Sequence, residues 1–480
     1  MRPAPVRCYG SYVGDRVPSQ GATGYTVAMA RQVVITGLGP VYGLGFGIES
    51  TWDAMLQGRC AIGPVQAFDA TGFDCTIAAE IGEFKINQYV PKSYRKATKV
   101  MSRDIGLAVA AADLAARDAG LLTPGTDPDA GKNDGFEPTY APSRLGAHIG
   151  AGLIAADLDE LTAALVKARV PDGSNAGEFD IYRWGNEGIN HLTPLWLLKY
   201  LPNMLACHVT IIHDAQGPSN TITCGEASAG LSIGESLRVI QRGAADACFC
   251  GGAESKANPM AFLRQIMTGR VNTNDNDKPE TAARPLTKTA DGMVVGEGGG
   301  IVVLEAMETF EQRAADTGAR AYAQIVGFGA SQSINPPTRN VHPDESGRGI
   351  AIAIRSALRE AEIDPNDIDL IVPTGLAAPV TDRAEAAALR NVFGAALPSI
   401  PLAPVKSLVG NCGAGAGGMD FIVAAKAVPE QTIPAVINAD QPLDDLNLTT
   451  APAREADLQF VLTYSGGLGG QFAALVLRKF

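Results

Sequence analysis

Short apolar runs alternate along this chain with longer segments in which apolar residues recur at helical spacing. The β-branched run at residues 32–36 is typical of a buried strand and leads into a glycine-rich turn. The segment from about Lys99 to Ala119 places Ile105, Val109 and Ala112 on one side of a helix. This alternation continues to the C terminus and predicts an α/β protein whose helical layers cover mostly buried sheets.

The two halves of the chain show a similar order of predicted elements, which suggests a structural duplication. Further strands are predicted near residues 145–150, 220–224, 246–251, 300–304, 322–327, 368–372, 402–405, 459–464 and 472–477. Helices are predicted over residues 227–242, 349–361 and 382–392 and after Gly415. We place the boundary in the polar loop that ends at Arg284, giving an N-terminal half of residues 31–283 and a C-terminal half of residues 284–480.

The first 30 residues differ in composition from the rest. They are rich in glycine, proline and serine and carry Arg2 and Arg7, but they lack the apolar core of a signal peptide. We interpret residues 1–30 as a flexible N-terminal extension.

The composition of the chain argues against some classes of binding partner and site. The 480 residues carry a net charge of −12, which disfavours nucleic acid or an anionic membrane as the main partner. No apolar run approaches the roughly 20 residues of a membrane span. The eight cysteines are scattered without a C-x-x-C pair, so neither a zinc site nor a disulfide framework is expected. These features suggest a reducing, cytoplasmic environment, with no metal or cofactor.

Several glycine-rich and charged strings occur along the chain in a characteristic order. They are Gly217-Pro218-Ser219, Gly251-Gly252-Ala253-Glu254, Arg284-Pro285, Gly296-Glu297-Gly298, Lys406-Ser407 with the glycine-rich run 410–418, and the loop 466–470. Together they resemble the elongating type of β-ketoacyl-acyl-carrier-protein synthase over about residues 31–480. This resemblance implies the thiolase fold, a duplicated five-layered α-β-α-β-α arrangement, and a dimer.

The resemblance also implies where chemistry would occur. In active relatives a cysteine at the N-terminal end of a buried helix takes an acyl group from a carrier protein. Two histidines then stabilise the enolate formed when a malonyl unit loses carbon dioxide. The matching strings place the cysteine position at Glu226, within Cys224-Gly225-Glu226-Ala227-Ser228. A carboxylate is a poor substitute because its attack on a thioester would give a labile mixed anhydride.

The histidine positions are replaced as well. By the same comparison the first becomes Thr374 and the second becomes Asn411, and none of the five histidines falls on either position. The two threonines that would bind a phosphopantetheine arm become Leu376 and Ala378, and the gating phenylalanine becomes Leu468.

A polar frame of Asp382, Glu385 and Lys406 is retained, and we expect it to serve the structure first. Cys224 is expected to end the preceding strand as a buried, inert cysteine, because free cysteines are usually buried.

These replacements suggest a non-catalytic subunit that resembles a chain-length factor, the inactive partner of a ketosynthase in polyketide and polyene synthesis. Such a subunit would form a heterodimer with an active ketosynthase, shape its acyl tunnel, and meet acyl carrier protein through that partner. Its interface strand would be Asn220, Thr221, Ile222, Thr223 and Cys224.

Two alternatives remain open. One is thioester chemistry by the chain alone, as an acyltransferase or decarboxylase or with Glu226 as a general base. The other is a homodimeric acyl-binding scaffold.

Overall fold

A computed structural model describes residues 30–127, 130 and 135–480. The predicted N-terminal extension lies outside these residues, except for Ala30.

Most of the described strands belong to one hydrogen-bonded series. The strands are Val33–Tyr42 (β1), Gly45–Phe46 (β2), Ile62–Pro64 (β3), Ile77–Ala79 (β4), Leu145–Ala151 (β5), Ser219–Ile222 (β6), Ala247–Ser255 (β7), Glu297–Ala306 (β8), Ala323–Gln332 (β9), Leu370–Val372 (β10), Thr432–Ile433 (β11), Arg454–Glu455 (β12), Phe460–Gly466 (β13) and Gln471–Arg478 (β14). Neighbouring strands run in the order β10-β13-β14-β9-β1-β8-β7-β5-β6, and β2 pairs with β1. The β3–β4 and β11–β12 pairs form two small separate sheets.

The α-helices cover and separate these strands. They are Ile48–Leu56 (α1), Arg103–Asp118 (α2), Leu158–Lys167 (α3), Ile181–Asn186 (α4), Met204–His213 (α5), Ser228–Gln241 (α6), Pro259–Ile266 (α7), Pro279–Ala282 (α8), Met307–Thr317 (α9), Arg348–Ala361 (α10), Pro379–Phe393 (α11), Lys406–Val409 (α12) and Ala416–Glu430 (α13). In the described part of the chain, no helix is long and apolar enough to cross a membrane.

Two central helices define the layering. Both α6 and α13 pack against each other and against strands from the two ends of the series, including β7 and β14. On the outside, α2 covers β1, β8 and β7, while α10 covers β9 and β14. The result is helix, sheet, helix, sheet and helix. Because helices lie on both faces, β1, β7 and β8 are buried along their whole length.

The two central helices begin in the same way, which supports the predicted duplication. A cysteine, Cys224 or Cys412, precedes a glycine with φ of +55° in each case, and a short 3₁₀ turn then enters the helix. Left-handed backbone favours glycine because it has no Cβ. The repeat therefore lies in backbone geometry rather than in residue identity.

Most predicted elements are confirmed, and three differ. The glycine-rich turn predicted after residues 32–36 is strand instead, because β1 continues from Val33 to Tyr42 and pairs with β8 along that stretch. The strand predicted at residues 402–405 is only an isolated bridge from Leu402 to Ile371, because prolines at 401 and 404 cannot donate to a ladder. The strand predicted at residues 220–224 is Ser219–Ile222, so Thr223 and Cys224 lie beyond its end.

The division of the chain at residues 283 and 284 stays a prediction. Strand β8, which follows that point, pairs with β1 and β7 from the first half. The chain therefore passes from the strands around β7 and β8 to the strands around β9 and β14 only between Ala306 and Ala323.

Strand β7 passes so close to β8 that a side chain would not fit at Gly251. Its φ is +129°, and a Cβ there would lie 2.0 Å from the carbonyl oxygen of Gly300. We expect Gly251→Ala to lower the free energy of unfolding by about 3 kcal/mol through overlap and backbone strain. Gly63→Ala is the control, since a Cβ at Gly63 meets nothing within 4 Å. Urea unfolding measures both, and equal losses would contradict this account.

Candidate functional site

The turn between β6 and α6 holds the residue at the predicted nucleophile position. Residues Gly225–Ala227 form a single 3₁₀ turn, and α6 begins at Ser228. The Ser228 hydroxyl accepts a hydrogen bond from the Cys224 N–H at 2.8 Å and donates to the Gly225 carbonyl at 2.7 Å. These bonds fix the turn and direct Glu226 into the interior, where its residue is 2% exposed.

Three donors surround the Glu226 carboxylate. Its Oε1 accepts hydrogen bonds from Arg270 Nη2 at 2.5 Å and from Asn411 Nδ2 at 3.0 Å. Its Oε2 accepts one from the backbone N–H of Leu468 at 3.0 Å. The predicted nucleophile position, the second histidine position and the gate position therefore meet at one carboxylate.

The charge of Glu226 follows from this environment. Burial raises the pKa of the carboxyl group, but the Arg270 guanidinium and the hydrogen bonds from Arg270, Asn411 and the backbone lower it more, to about 2. Glu226 is therefore ionised at neutral pH and sits in a buried ion pair. A carboxylate with so low a pKa is a weak base, which argues against a role in general-base catalysis.

Arg270 was not predicted from the sequence. It follows α7 and is 1% exposed, and it is among the largest fully buried side chains in the described part of the chain. Within that part, its Nε and Nη1 atoms have no hydrogen-bond partner, so its interaction with protein oxygen runs through Nη2. A buried glutamate does call for a cation, but the sequence does not reveal which arginine or lysine comes close.

The two predicted histidine positions, Thr374 and Asn411, are both buried. Thr374 donates a hydrogen bond to the Tyr464 carbonyl at 3.2 Å rather than to Glu226. Asn411 also contacts Met293 Sδ at 3.1 Å, and its Oδ1 accepts from the Gly413 N–H. Neither side chain can supply the protonated ring nitrogen of a histidine.

An apolar side chain lies beside the carboxylate where the resemblance implies a polar one. A Cβ built on Gly467 would lie 3.6 Å from Leu376 Cδ1 and 3.8 Å from Glu226 Oε2. Leu376 and Ala378 are fully buried among apolar neighbours. They have no side-chain hydrogen-bonding group for a pantetheine amide.

The polar frame holds backbone segments in place. Asp382 accepts from the Leu286 N–H at 2.6 Å, and Glu385 accepts from the Gly375 N–H at 3.0 Å. Burial raises the pKa of Glu385 to about 7. Lys406 forms a buried ion pair with Asp420. These contacts fit the structural role predicted for the frame, and none of them reaches Glu226.

Cys224 differs from its prediction in position and exposure. It lies past the end of β6 and is partly exposed rather than buried within a strand. Desolvation raises the pKa of its thiol, which disfavours the reactive thiolate.

In the described residues, no group of three or more His, Cys, Asp or Glu side chains could hold a metal ion.

Comparison with known proteins identifies the family. Residues 30–309 match the family described as "Beta-ketoacyl synthase, N-terminal domain", and residues 322–440 match "Beta-ketoacyl synthase, C-terminal domain". The chain belongs to the β-ketoacyl synthase family. The predicted thiolase fold is thereby confirmed.

Similar β-ketoacyl synthases cover almost the whole chain. The 3-oxoacyl-[acyl-carrier-protein] synthase 2 of Staphylococcus aureus strain COL is 29% identical over 452 residues, which are 94% of this chain and 99% of that protein. The enzyme of the same name from Vibrio harveyi is 30% identical over 453 residues, with the same two coverages. A solved structure described as the ishigamide ketosynthase/chain length factor is similar with a TM-score of 0.76 and 26% identity, over 94% of this chain and 100% of that one.

Glu226 and Arg270 should depend on each other for stability. Arg270→Met leaves an ionised carboxylate buried without its partner, and we expect it to lower the free energy of unfolding by about 3 to 5 kcal/mol. The double variant Glu226→Met/Arg270→Met removes both charges at similar volume and should recover most of this loss. Urea unfolding of the wild type, of Glu226→Met, of Arg270→Met and of the double variant measures the coupling. Additive losses in the double variant would contradict an ion pair.

Acid should weaken the wild-type chain through the same carboxyl group. The pKa of Glu226 is about 2 in the folded chain and roughly 4.3 when unfolded, so its stabilisation is present above the unfolded value and is lost as the pH falls toward the folded value. Between about pH 5 and about pH 3, the wild type should lose about 2 kcal/mol more than Glu226→Met/Arg270→Met. Parallel pH dependences of unfolding in the two proteins would show that Glu226 is not held ionised.

Proposed function

We propose that this chain is a non-catalytic ketosynthase-like subunit that pairs with an active β-ketoacyl synthase in fatty acid or polyketide biosynthesis and shapes its acyl tunnel. The observation that carries the proposal is the ion pair between Glu226 and Arg270 at the nucleophile position. Acyl transfer by this family requires a thiolate there, and the ionised carboxylate is engaged by three donors.

The side chains at the two predicted histidine positions also support the proposal. Decarboxylation of a malonyl thioester needs hydrogen-bond donors that stabilise the developing enolate. Thr374 is bonded to the Tyr464 carbonyl, and the Asn411 amide is bonded to Glu226. Both candidate donors are therefore committed within the protein, which disfavours a stand-alone decarboxylase.

The edge of the sheet supports pairing with a second subunit. Strand β6 ends the hydrogen-bonded series and pairs with β5 on one side. Ser219 and Asn220 are exposed on this strand, and Thr221 and Ile222 are half-buried. An open edge strand presents unpaired N–H and C=O groups to another chain. This strand extends only to Ile222, so the proposed interface strand is shorter than predicted.

Exposed apolar side chains add to this evidence. Seven large hydrophobic residues between positions 153 and 197 are more than half exposed, and a partner that covered them would remove apolar surface from water: Leu153, Val166, Phe179, Ile181, Tyr182, Leu195 and Leu197. The similarity to the ishigamide ketosynthase/chain length factor agrees with a paired arrangement. By this proposal acyl carrier protein reaches the pair through the active partner.

Co-expression with a ketosynthase encoded beside this chain, one that has the cysteine and both histidines, tests the proposal. We expect the two proteins to co-purify and to elongate acyl chains with malonyl-carrier protein, whereas this chain alone is inert. If the purified chain alone releases carbon dioxide or forms an acyl-enzyme, the proposal is wrong.

A matched pair of variants tests the interface in the same assay. Ile222→Lys places a charge on the edge strand and should abolish co-purification and elongation while leaving the thermal melt of this chain unchanged. Ile352→Lys is the control, since Ile352 is an exposed isoleucine on α10, which packs on β9 and β14 and not on β6. Retained pairing in Ile222→Lys would place the interface elsewhere.

A further inference from the structure

The last residue of β13 and the loop that joins it to β14 include four glycines with positive φ, and we call residues Gly466–Gly470 the loop. Gly466, Gly467, Gly469 and Gly470 have φ values of 154°, 147°, 85° and 77°. Glycine has more conformational freedom than any other residue, so such a loop is costly to hold in one conformation. Contacts from outside the loop must therefore fix it.

Hydrogen bonds from two parts of the protein reach the loop. The Gly469 N–H donates to the Asn340 carbonyl at 2.8 Å, and the Ser333 N–H donates to the Gly470 carbonyl at 2.9 Å. Both partners lie in the connection between β9 and α10. The Leu468 N–H instead donates to the Glu226 carboxylate, which belongs to the buried turn before α6.

Hydrogen bonds on both oxygens orient the Glu226 carboxylate. Arg270 and Asn411 hold Oε1, which orients Oε2 toward Leu468. A hydrogen bond to an ionised acceptor is stronger than one between neutral groups. The turn also fits closely under the loop, because a Cβ on Gly225 would lie 3.2 Å from Leu468 Cβ.

We propose that Glu226 and Arg270 form a latch that holds the loop Gly466–Gly470 closed over the turn before α6. Arg270 acts through Glu226 as a positioning residue, and the Leu468 N–H is the point at which the latch engages. With the loop closed, Glu226 is 2% exposed, and Thr374 and Asn411 are each 4% exposed. The latch involves only residues of this chain, so its test does not depend on whether the chain pairs with a ketosynthase.

Hydrogen exchange of the full-length chain, followed by mass spectrometry, tests the latch. In Glu226→Met/Arg270→Met the Leu468 N–H loses its acceptor, and peptides covering residues 466–472 should exchange about tenfold faster than in the wild type. Peptides from the body of β13 should be unchanged. If the double variant keeps the wild-type melting temperature and the wild-type exchange rate over the loop, the latch does not exist.

A control variant separates the latch from a general loss of ionic contacts. Arg313 and Glu305 form another buried ion pair, between α9 and β8. Glu305→Met/Arg313→Met removes the same charges elsewhere and should leave exchange over residues 466–472 unchanged. Faster loop exchange in this control as well would overturn the assignment to Glu226 and Arg270.

The wild-type chain provides a measurement that does not depend on a variant folding. The Leu468 amide itself, resolved by NMR, should be protected about tenfold or more relative to an unstructured peptide. Exchange of this amide at the unstructured rate would overturn the proposal.

Discussion

One buried negative charge organises the centre of this protein. The turn before α6 directs Glu226 inward, and an ionised carboxylate in the interior must be paired and hydrogen-bonded to be tolerated. Arg270 supplies the opposite charge, Asn411 supplies an amide and the Leu468 backbone supplies an N–H. These donors come from three separate parts of the chain, so a single side chain ties them together. Breaking these contacts would cost stability, and the donors bound to Glu226 are not free to act on a substrate.

The polar frame of Asp382, Glu385 and Lys406 is held by contacts that do not involve Glu226. Asp382 and Glu385 hold backbone N–H groups, and Lys406 pairs with Asp420 beneath the glycine-rich turn. None of these contacts involves position 226. A buried frame of this kind stabilises the fold whether or not a substrate is processed nearby. The frame therefore supports the family's architecture independently of the residue at position 226.

The sequence allowed much of the fold to be predicted, because its signals are local. Hydrophobic periodicity located the long helices, and the spacing of glycine strings located the turn at Glu226 and the position of Asn411. The end of β6 at Ile222 was missed, because the Cys224 N–H donates to the Ser228 hydroxyl of the following turn instead of to a neighbouring strand. The exposure of Cys224 was missed for the same reason.

Arg270 could not have been predicted, since it becomes a partner of Glu226 only through tertiary folding. The two residues lie 44 positions apart, and nothing in the local sequence around Arg270 marks it as buried. Pairs of this kind are specified by three-dimensional packing, which periodicity and motif spacing do not encode.

The coupling of Glu226 to Arg270 also limits how the chain can change by mutation. A change of Glu226 alone to a neutral residue would leave Arg270 without its counter-charge, and a change of Arg270 alone would leave the carboxylate unpaired. Each single step passes through a destabilised protein. A buried ion pair of this kind therefore restricts which single substitutions the chain can accept, because each of its two residues can change without loss only together with the other.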